Sequence, residues 1–353
     1  MSNLCNYSGP ITDPDLFIGR TNIINKIYSR IGAGRPQSVS LVGENKIGKT
    51  SLLNYIRNKN IQKKYFSNHE NYVCIFFPVQ DNSKSVDVFI NNLCSAISAE
   101  TGMNYIYQSV SQCYYWFKDV VESLTKFDKK LILLMDDFNL VTQNSDFPLE
   151  FFSFLRSMAN NFNVAYVTTS YHDLQQLCVS KDIEESPFFN IFTNISLKAF
   201  DQDELNEFIN KMSVNGYEWF REYSKLILEY TGNFPYLLQS AGSLLFDLGQ
   251  KYNDKLILEK KFREHIIFHM QEQFLQIWDH LYEHQQRILV TLAKSKKPNP
   301  AKQYLIRELE RKQLIYYTKR KYHFFSPAFR EFIINKKHLK TPILLRLKKI
   351  FLN

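Results

Sequence analysis

An α/β fold, with a doubly wound parallel sheet ahead of a helical segment and a small mixed end, is what the sequence predicts. Three observations predict it. Residues 38–53, SVSLVGENKIGKTSLL, run from an apolar stretch through a glycine-bounded turn into a helical pattern. Residues 130–140, KLILLMDDFNL, carry a continuous apolar run that ends in two carboxylates. Apolar runs of this kind belong to strands covered on both faces, as in parallel sheets. Strand and helix patterns then alternate up to about residue 198, whereas only helices follow from there to about 275.

The first stretch has the spacing G-x-x-x-x-G-K-T, with Gly43, Gly48, Lys49 and Thr50, between a strand and a helix. That context makes it a phosphate-binding loop. Gly43 and Gly48 permit backbone that a Cβ would obstruct, so Glu44, Asn45, Lys46 and Ile47 can turn their N–H groups inward as an anion nest. The helix that begins near Lys49 adds its N-terminal partial charge, and Ser51 lies in its first turn. Lys49 is placed to reach the β- and γ-phosphates, and Thr50 to offer a hydroxyl to Mg²⁺. In the second stretch, Asp136 and Asp137 sit at the C-terminal end of a strand, where ligands bind in open α/β sheets. Asp136 is the expected metal carboxylate, and Asp137 the group that orients or deprotonates an attacking water.

Composition bounds the rest. A chain of 353 residues with 44% hydrophobic and 22% charged content is long enough for two or three domains and reads as globular. The net charge of +9 is uneven: residues 281–353 hold 18 Lys/Arg and 4 Asp/Glu, while residues 1–280 are slightly acidic. A basic end on an acidic body suggests an anionic partner: nucleic acid, a membrane surface or an acidic protein. The five cysteines form no C-x-x-C pair, so they read as reduced, mostly buried thiols of a cytoplasmic protein. No leader and no 18-residue apolar run is present, and no transmembrane segment is expected.

In chain order, residues 21–31 have helical spacing, and the helix after the phosphate loop is expected to run to about Phe66. Strands are expected at 71–79, 163–170 and 191–197, with helices at 86–99, 109–127 and 148–160. One strand between the phosphate loop and Asp136, and two after it, fits a sheet in which those two motif strands are not neighbours. Asp201 and Glu204 form a capping-box signature. Helical patterns follow, broken at Gly216 and at 231–235, with one helix at about 255–275. Helices at 280–294 and 301–313, a hairpin around Thr318-Lys319-Arg320 and a helix from Pro327 to about Lys337 give a winged-helix outline one short helix less than complete. The end, TPILLRLKKIFLN, is apolar with interspersed cations.

With FIGR (17–20), GENKIGKTS, LILLMDDF, VAYVTTS, TGNFPYLLQ (231–239) and FFSPAF (324–329) in this order, the chain resembles the signal-transduction ATPases with numerous domains, the STAND class, over about residues 14–335. More narrowly it is similar to the archaeal and bacterial AAA-like ATPases of that class. The resemblance implies a P-loop NTPase parallel sheet of AAA+/STAND type at 1–198, a helical lid at 199–277, a winged-helix-like domain at 278–339 and a basic amphipathic tail at 340–353. It implies ATP and Mg²⁺ as cofactors, with Arg20 on the base and sugar side and Pro235 on the adenine. It implies a switch that couples Mg-ATP binding and hydrolysis to conformational change or self-association through the ATPase domain, in signalling or defence. An effector would be encoded separately, since no effector or sensor repeat is attached. Two departures point to slow turnover: Asp136-Asp137 stands where many relatives have Asp-Glu, and Ser170 where many have Arg. The rival is a DNA-binding AAA+ ATPase of replication, transposition or transcription control, which the basic end favours.

Other signals carry less. The pairs His265/His269 and His280/His284 have helical spacing but no third ligand. The aromatic run Tyr114–Phe117 reads as core, and Arg156 as an ion-pair partner before an arginine finger.

Overall fold

Cys5 and residues 9–107, 109–213 and 218–335 are described by the structure, a computed structural model. The chain forms two compact units: a sheet unit, Gly9–Leu197, and a helical unit that takes in Cys5 and the chain from Lys198 onward. The lid and the winged-helix-like segment expected at 199–277 and 278–339 therefore fall in one unit. The tail at 340–353 lies outside the described residues.

The sheet has five parallel strands, β1 (Ser38–Val42), β2 (Tyr72–Pro78), β3 (Lys130–Asp136), β4 (Val164–Ser170) and β5 (Phe192–Ser196), in the order β2-β3-β4-β1-β5. The strand of the phosphate loop and the strand of the paired carboxylates are thus separated by β4, as their count in the sequence predicts. β3 and β4 are buried along their whole length. On one side, Phe89 packs edge-on against Phe77, Phe147 and Phe151 at centroid distances of 5.0–5.7 Å. Each such ring removes enough apolar surface from water to contribute about 1.5–3 kcal/mol. These rings share one buried cluster with Leu131, Leu133 and Met135 of β3. Phe117 joins the core, Tyr114 packs on Phe154 at 4.3 Å, and Tyr115 is exposed. The five cysteines are free thiols, all buried except the half-buried Cys178.

Two expected helices divide. The one after the phosphate loop stops at Arg57 and restarts as Lys59–Tyr65, because the Asn58 side chain accepts the N–H groups of Asn60 (2.9 Å) and Ile61 (3.3 Å) as an N-cap. In the helical unit, Lys255–His269 and Gln271–Asp279 part at the buried Met270. The capping box is present: Glu204 N donates to Asp201 (2.9 Å) and Asp201 N to Glu204 (3.0 Å).

The TGNFP segment is the hub of the helical unit. Gly232 adopts φ 54°, and a Cβ there would come within 2.7 Å of the Phe325 carbonyl oxygen. The Ser326 hydroxyl donates to the Tyr230 carbonyl, and the Phe234 and Phe325 rings lie 4.6 Å apart. Asn233 and Phe200 exchange hydrogen bonds at 2.9 and 3.0 Å. Pro235 then opens the helix Pro235–Gly249 at a position where its missing N–H costs nothing. Beyond it stand helix Glu283–Ala293, a single 3-10 turn Pro300–Lys302 running into helix Gln303–Arg311, the antiparallel hairpin β6 (Ile315–Thr318) and β7 (Lys321–Phe324), and helix Pro327–Asn335. No separate helix stands between Glu283–Ala293 and that 3-10 turn, which forms the first turn of the helix expected at 301–313.

Candidate functional site

The two glycines of the loop are needed for different reasons. Gly48 has φ 104° with open space where a Cβ would stand, so conformation alone demands glycine. Gly43 has ordinary backbone, but a Cβ would meet the Leu197 carbonyl oxygen at 2.6 Å and Ile47 at 3.0 Å, so space demands it. The loop is anchored by Gly43 N–H donating to the Ser170 carbonyl (3.1 Å) and by the buried Ile47. Lys46, at φ 61°, and Asn45 are exposed on its outer side.

Lys49 is 6% exposed. Its Nζ donates to the carbonyls of Gly43 (2.9 Å) and Glu44 (3.2 Å), and it makes no ion pair among the described residues. Burial pushes its ammonium below the usual lysine value, against the opposing fields of Asp137, Glu44 and Asp136. A buried cation that rests on carbonyls alone lacks its counter-charge, and a phosphate in the loop would supply it.

At the neighbouring strand ends the carboxylates are held by hydroxyls. Asp136 accepts Thr50 Oγ1 on one oxygen (2.7 Å) and Thr169 Oγ1 on the other (2.7 Å). The same Thr169 hydroxyl accepts the Asp137 N–H (2.8 Å), and the Thr169 carbonyl accepts that of Phe138 (2.9 Å). Asp137 sits at φ 57°, a left-handed conformation that this clamp over-determines. Burial first, and then the Asp136 charge, raise the Asp137 carboxyl above the usual aspartate value, while Lys49 lowers it. Thr50 and Asp136 thus present adjoining oxygen ligands of the kind Mg²⁺ takes. Asp137 stands beside them with a raised proton affinity.

Sequence reasoning missed Thr169. Its signal was the hydroxyl pair at the end of VAYVTTS, on a strand three places from β1 in chain order but adjacent to it in the sheet. It also missed the strap at Ile11, whose N–H donates to Ser51 Oγ (3.0 Å) and whose carbonyl accepts Asn54 (3.1 Å). The strap leads to Phe17, stacked on Tyr55 at 4.6 Å, and to Arg20. Arg20, buried and at φ 65°, donates to the Ile47 carbonyl (3.3 Å), which brings it to the back of the phosphate loop. Pro235 belongs to the helical unit. Arg156 is half-buried and makes no salt bridge among the described residues. His269 pairs with Ser240 (3.0 Å), and His265 and His280 with the carbonyls of Lys261 and Gln276.

The family model of the novel STAND NTPase 2 matches residues 33–297, three-quarters of the sequence, with the phosphate loop and the carboxylate strand inside the match. The chain belongs to that family. This STAND NTPase also resembles solved structures along almost its whole length. A Walker-type ATPase of Pyrococcus abyssi superposes with a TM-score of 0.61 at 15% identity, covering 94% of this chain and 99% of that one. The ORC2 protein of Aeropyrum pernix, solved as ADPNP-ADP complexes, gives 0.61 at 14% identity over 96% and 98%. At such identities the likeness shows a shared P-loop ATPase fold. No curated protein matches the sequence. Among the described residues, no helix of this STAND NTPase is long and apolar enough to cross a membrane.

Proposed function

We propose that this STAND NTPase is an ATP-binding switch that hydrolyses ATP slowly. The observation that carries the reading is Lys49, a buried ammonium without a counter-ion inside the loop, beside the Thr50–Asp136 pair. Lys49 and the loop N–H groups would hold the phosphates, and Thr50 and Asp136 the Mg²⁺. When bound, the metal supplies charge neutralisation at the transferring phosphoryl group. Catalysis of this kind rests on positioning and electrostatics. Asp137, with its proton affinity raised, is suited to take a proton from water, and the shorter reach of Asp than of Glu supports slow turnover. Arg20, against the loop at Ile47, would line the base side, and Pro235 would contact the adenine. ATP is favoured over GTP by the resemblance and by the absence of an N-K-x-D motif.

In this reading nucleotide state controls self-association through the sheet unit, and an effector, in signalling or defence, receives the output. The test is titration of purified protein with ATP and ADP, with and without Mg²⁺, followed by size exclusion in each state. The expected result is Mg²⁺-enhanced ATP binding and a change of assembly between ATP and ADP. Absence of ATP binding in the presence of Mg²⁺ would overturn it.

A further inference from the structure

The helical unit carries a second concentration of cations, with the opposite setting to Lys49. On helix Gln303–Arg311, Leu305, Ile306 and Leu309 are buried, while Tyr304, Arg307 and Arg311 follow at i, i+3 and i+7 along the exposed face. Glu308 is turned away from that face into a hydrogen bond with the buried Gln285 (2.9 Å). The helix leads through Leu314, whose N–H donates to the Leu309 carbonyl, directly into β6. At the far end of the hairpin, Thr318 pairs with Lys321 across a two-residue turn, and all of Lys319, Arg320 and Lys321 are exposed. None of these five basic residues makes a salt bridge among the described residues.

The turn itself is unusual for its sequence. Lys319 and Arg320 adopt φ 49° and 63°, the left-handed pair of a type I′ turn. Asn-Gly closes such a turn at least cost, because a Cβ is disfavoured at both positions. The chain instead places two long cations there. Backbone of this kind is held by the surrounding structure, here the β6–β7 pairing, and clusters at ligand-binding sites. Behind the tip, Tyr316 and Tyr317 are half exposed, Tyr316 lying parallel to His323 at 5.3 Å.

We propose that helix Gln303–Arg311 and the adjoining hairpin tip form a docking surface for duplex DNA, held chiefly through its phosphates. Unpaired exposed arginines and lysines at two adjoining elements suit a regular polyanion better than a single acidic side chain. A helix with its side chains is about 10–12 Å across, which fits the ~12 Å major groove of B-DNA and not the narrow major groove of A-form RNA. Tyr304, Arg307 and Arg311 would then face the groove, and Lys319, Arg320 and Lys321 the flanking backbone. Base preference is weak, since phosphate contacts carry no sequence information. This surface does not depend on the nucleotide reading, and its test is run without nucleotide.

The experiment is fluorescence anisotropy of short duplex DNA and duplex RNA with the full chain, across about 50–200 mM salt. Three proteins are compared: wild type, Arg307→Ala/Arg311→Ala, and Lys319→Asn/Arg320→Gly. The last removes two charges while installing the preferred turn, so its folding is not at risk. Wild type should bind DNA with an affinity that falls steeply with salt, and RNA more weakly. The Asn-Gly variant should bind less tightly, with the slope of log affinity against log salt shallower by about 2, while melting no lower than wild type. Absence of DNA binding at about 50 mM salt, an unchanged slope in the Asn-Gly variant, or RNA binding equal to DNA binding would each overturn the proposal.

Discussion

Lys49 and Lys319 are both lysines set beside left-handed backbone, Lys49 directly after Gly48 and Lys319 at a positive φ of its own. Lys49 is buried, rests on two carbonyls and has its proton affinity lowered by desolvation. Lys319 is exposed, and its cost is backbone strain alone. The two settings suit different ligands. A buried cation discriminates one small anion by geometry, because nothing else can follow it into the loop. An exposed pair at a hairpin tip gives reach and charge with little discrimination. Neither arrangement is what stability alone would select, which is why both read as functional.

The comparison can be sharpened on the buried side first. Asp137→Asn keeps the metal carboxylate Asp136 but removes the candidate base, so single-turnover ATP hydrolysis should slow by about 10²–10⁴-fold with ATP binding retained. Because Asp137 must be ionised to accept a proton, wild-type turnover should rise with pH through a carboxylate pKa above the usual aspartate value, and this limb should vanish in the variant. Unchanged turnover would remove Asp137 from the chemistry. Thr169→Val should act more modestly. It unties Asp136 and Asp137 at once, and loss of such supporting bonds costs about 10–100-fold in metal affinity or activity. The Mg²⁺ concentration needed for half-maximal ATP binding should rise, metal-free ATP binding should hold, and Thr169→Ser should restore the metal dependence. A Val variant with the wild-type Mg²⁺ requirement would show that Asp136 orients itself. On the exposed side the effect is smallest: Lys319→Asn/Arg320→Gly should stabilise the helical unit by about 1–2 kcal/mol in denaturant unfolding, by relieving the left-handed pair. A loss of stability would mean that the two side chains carry packing of their own.

Much of this was legible in the sequence, for identifiable reasons. The phosphate loop and the carboxylate strand are local patterns, and continuous apolar runs such as Leu131–Met135 declare a buried strand without tertiary information. Strand count placed the two motifs apart in the sheet. What was not legible depended on contacts far apart in the chain. Thr169 acquires its role only when β4 lies between β1 and β3. Gly43 looked like a conformational glycine, but its constraint is the carbonyl of Leu197. Asn58 breaks a helix that its flanking residues would have continued, because a side-chain cap there outweighs propensity. The union of TGNFP with FFSP around Gly232 and Phe325 joins two motifs that the sequence offers only as separate signatures. Nothing in the composition of Lys319-Arg320 announces left-handed backbone, since that turn usually takes Asn-Gly.

The buried cation is the centre of the account, and Lys49→Met tests it most directly through paired melting curves with and without Mg-ATP. With its folded-state pKa lowered, Lys49 is neutral in both states and costs nothing above the ordinary lysine value; as pH falls below that value the penalty for the buried charge sets in, and it is complete below the folded pKa, so Lys49 weakens the nucleotide-free fold at neutral pH. A methionine of similar length removes that penalty and leaves the phosphates without their cation. The predicted result is a variant that melts higher than wild type without nucleotide, gains nothing from Mg-ATP, and binds it on the order of 10²–10³-fold more weakly. A variant that melts lower than wild type and keeps the wild-type gain from Mg-ATP would contradict the account.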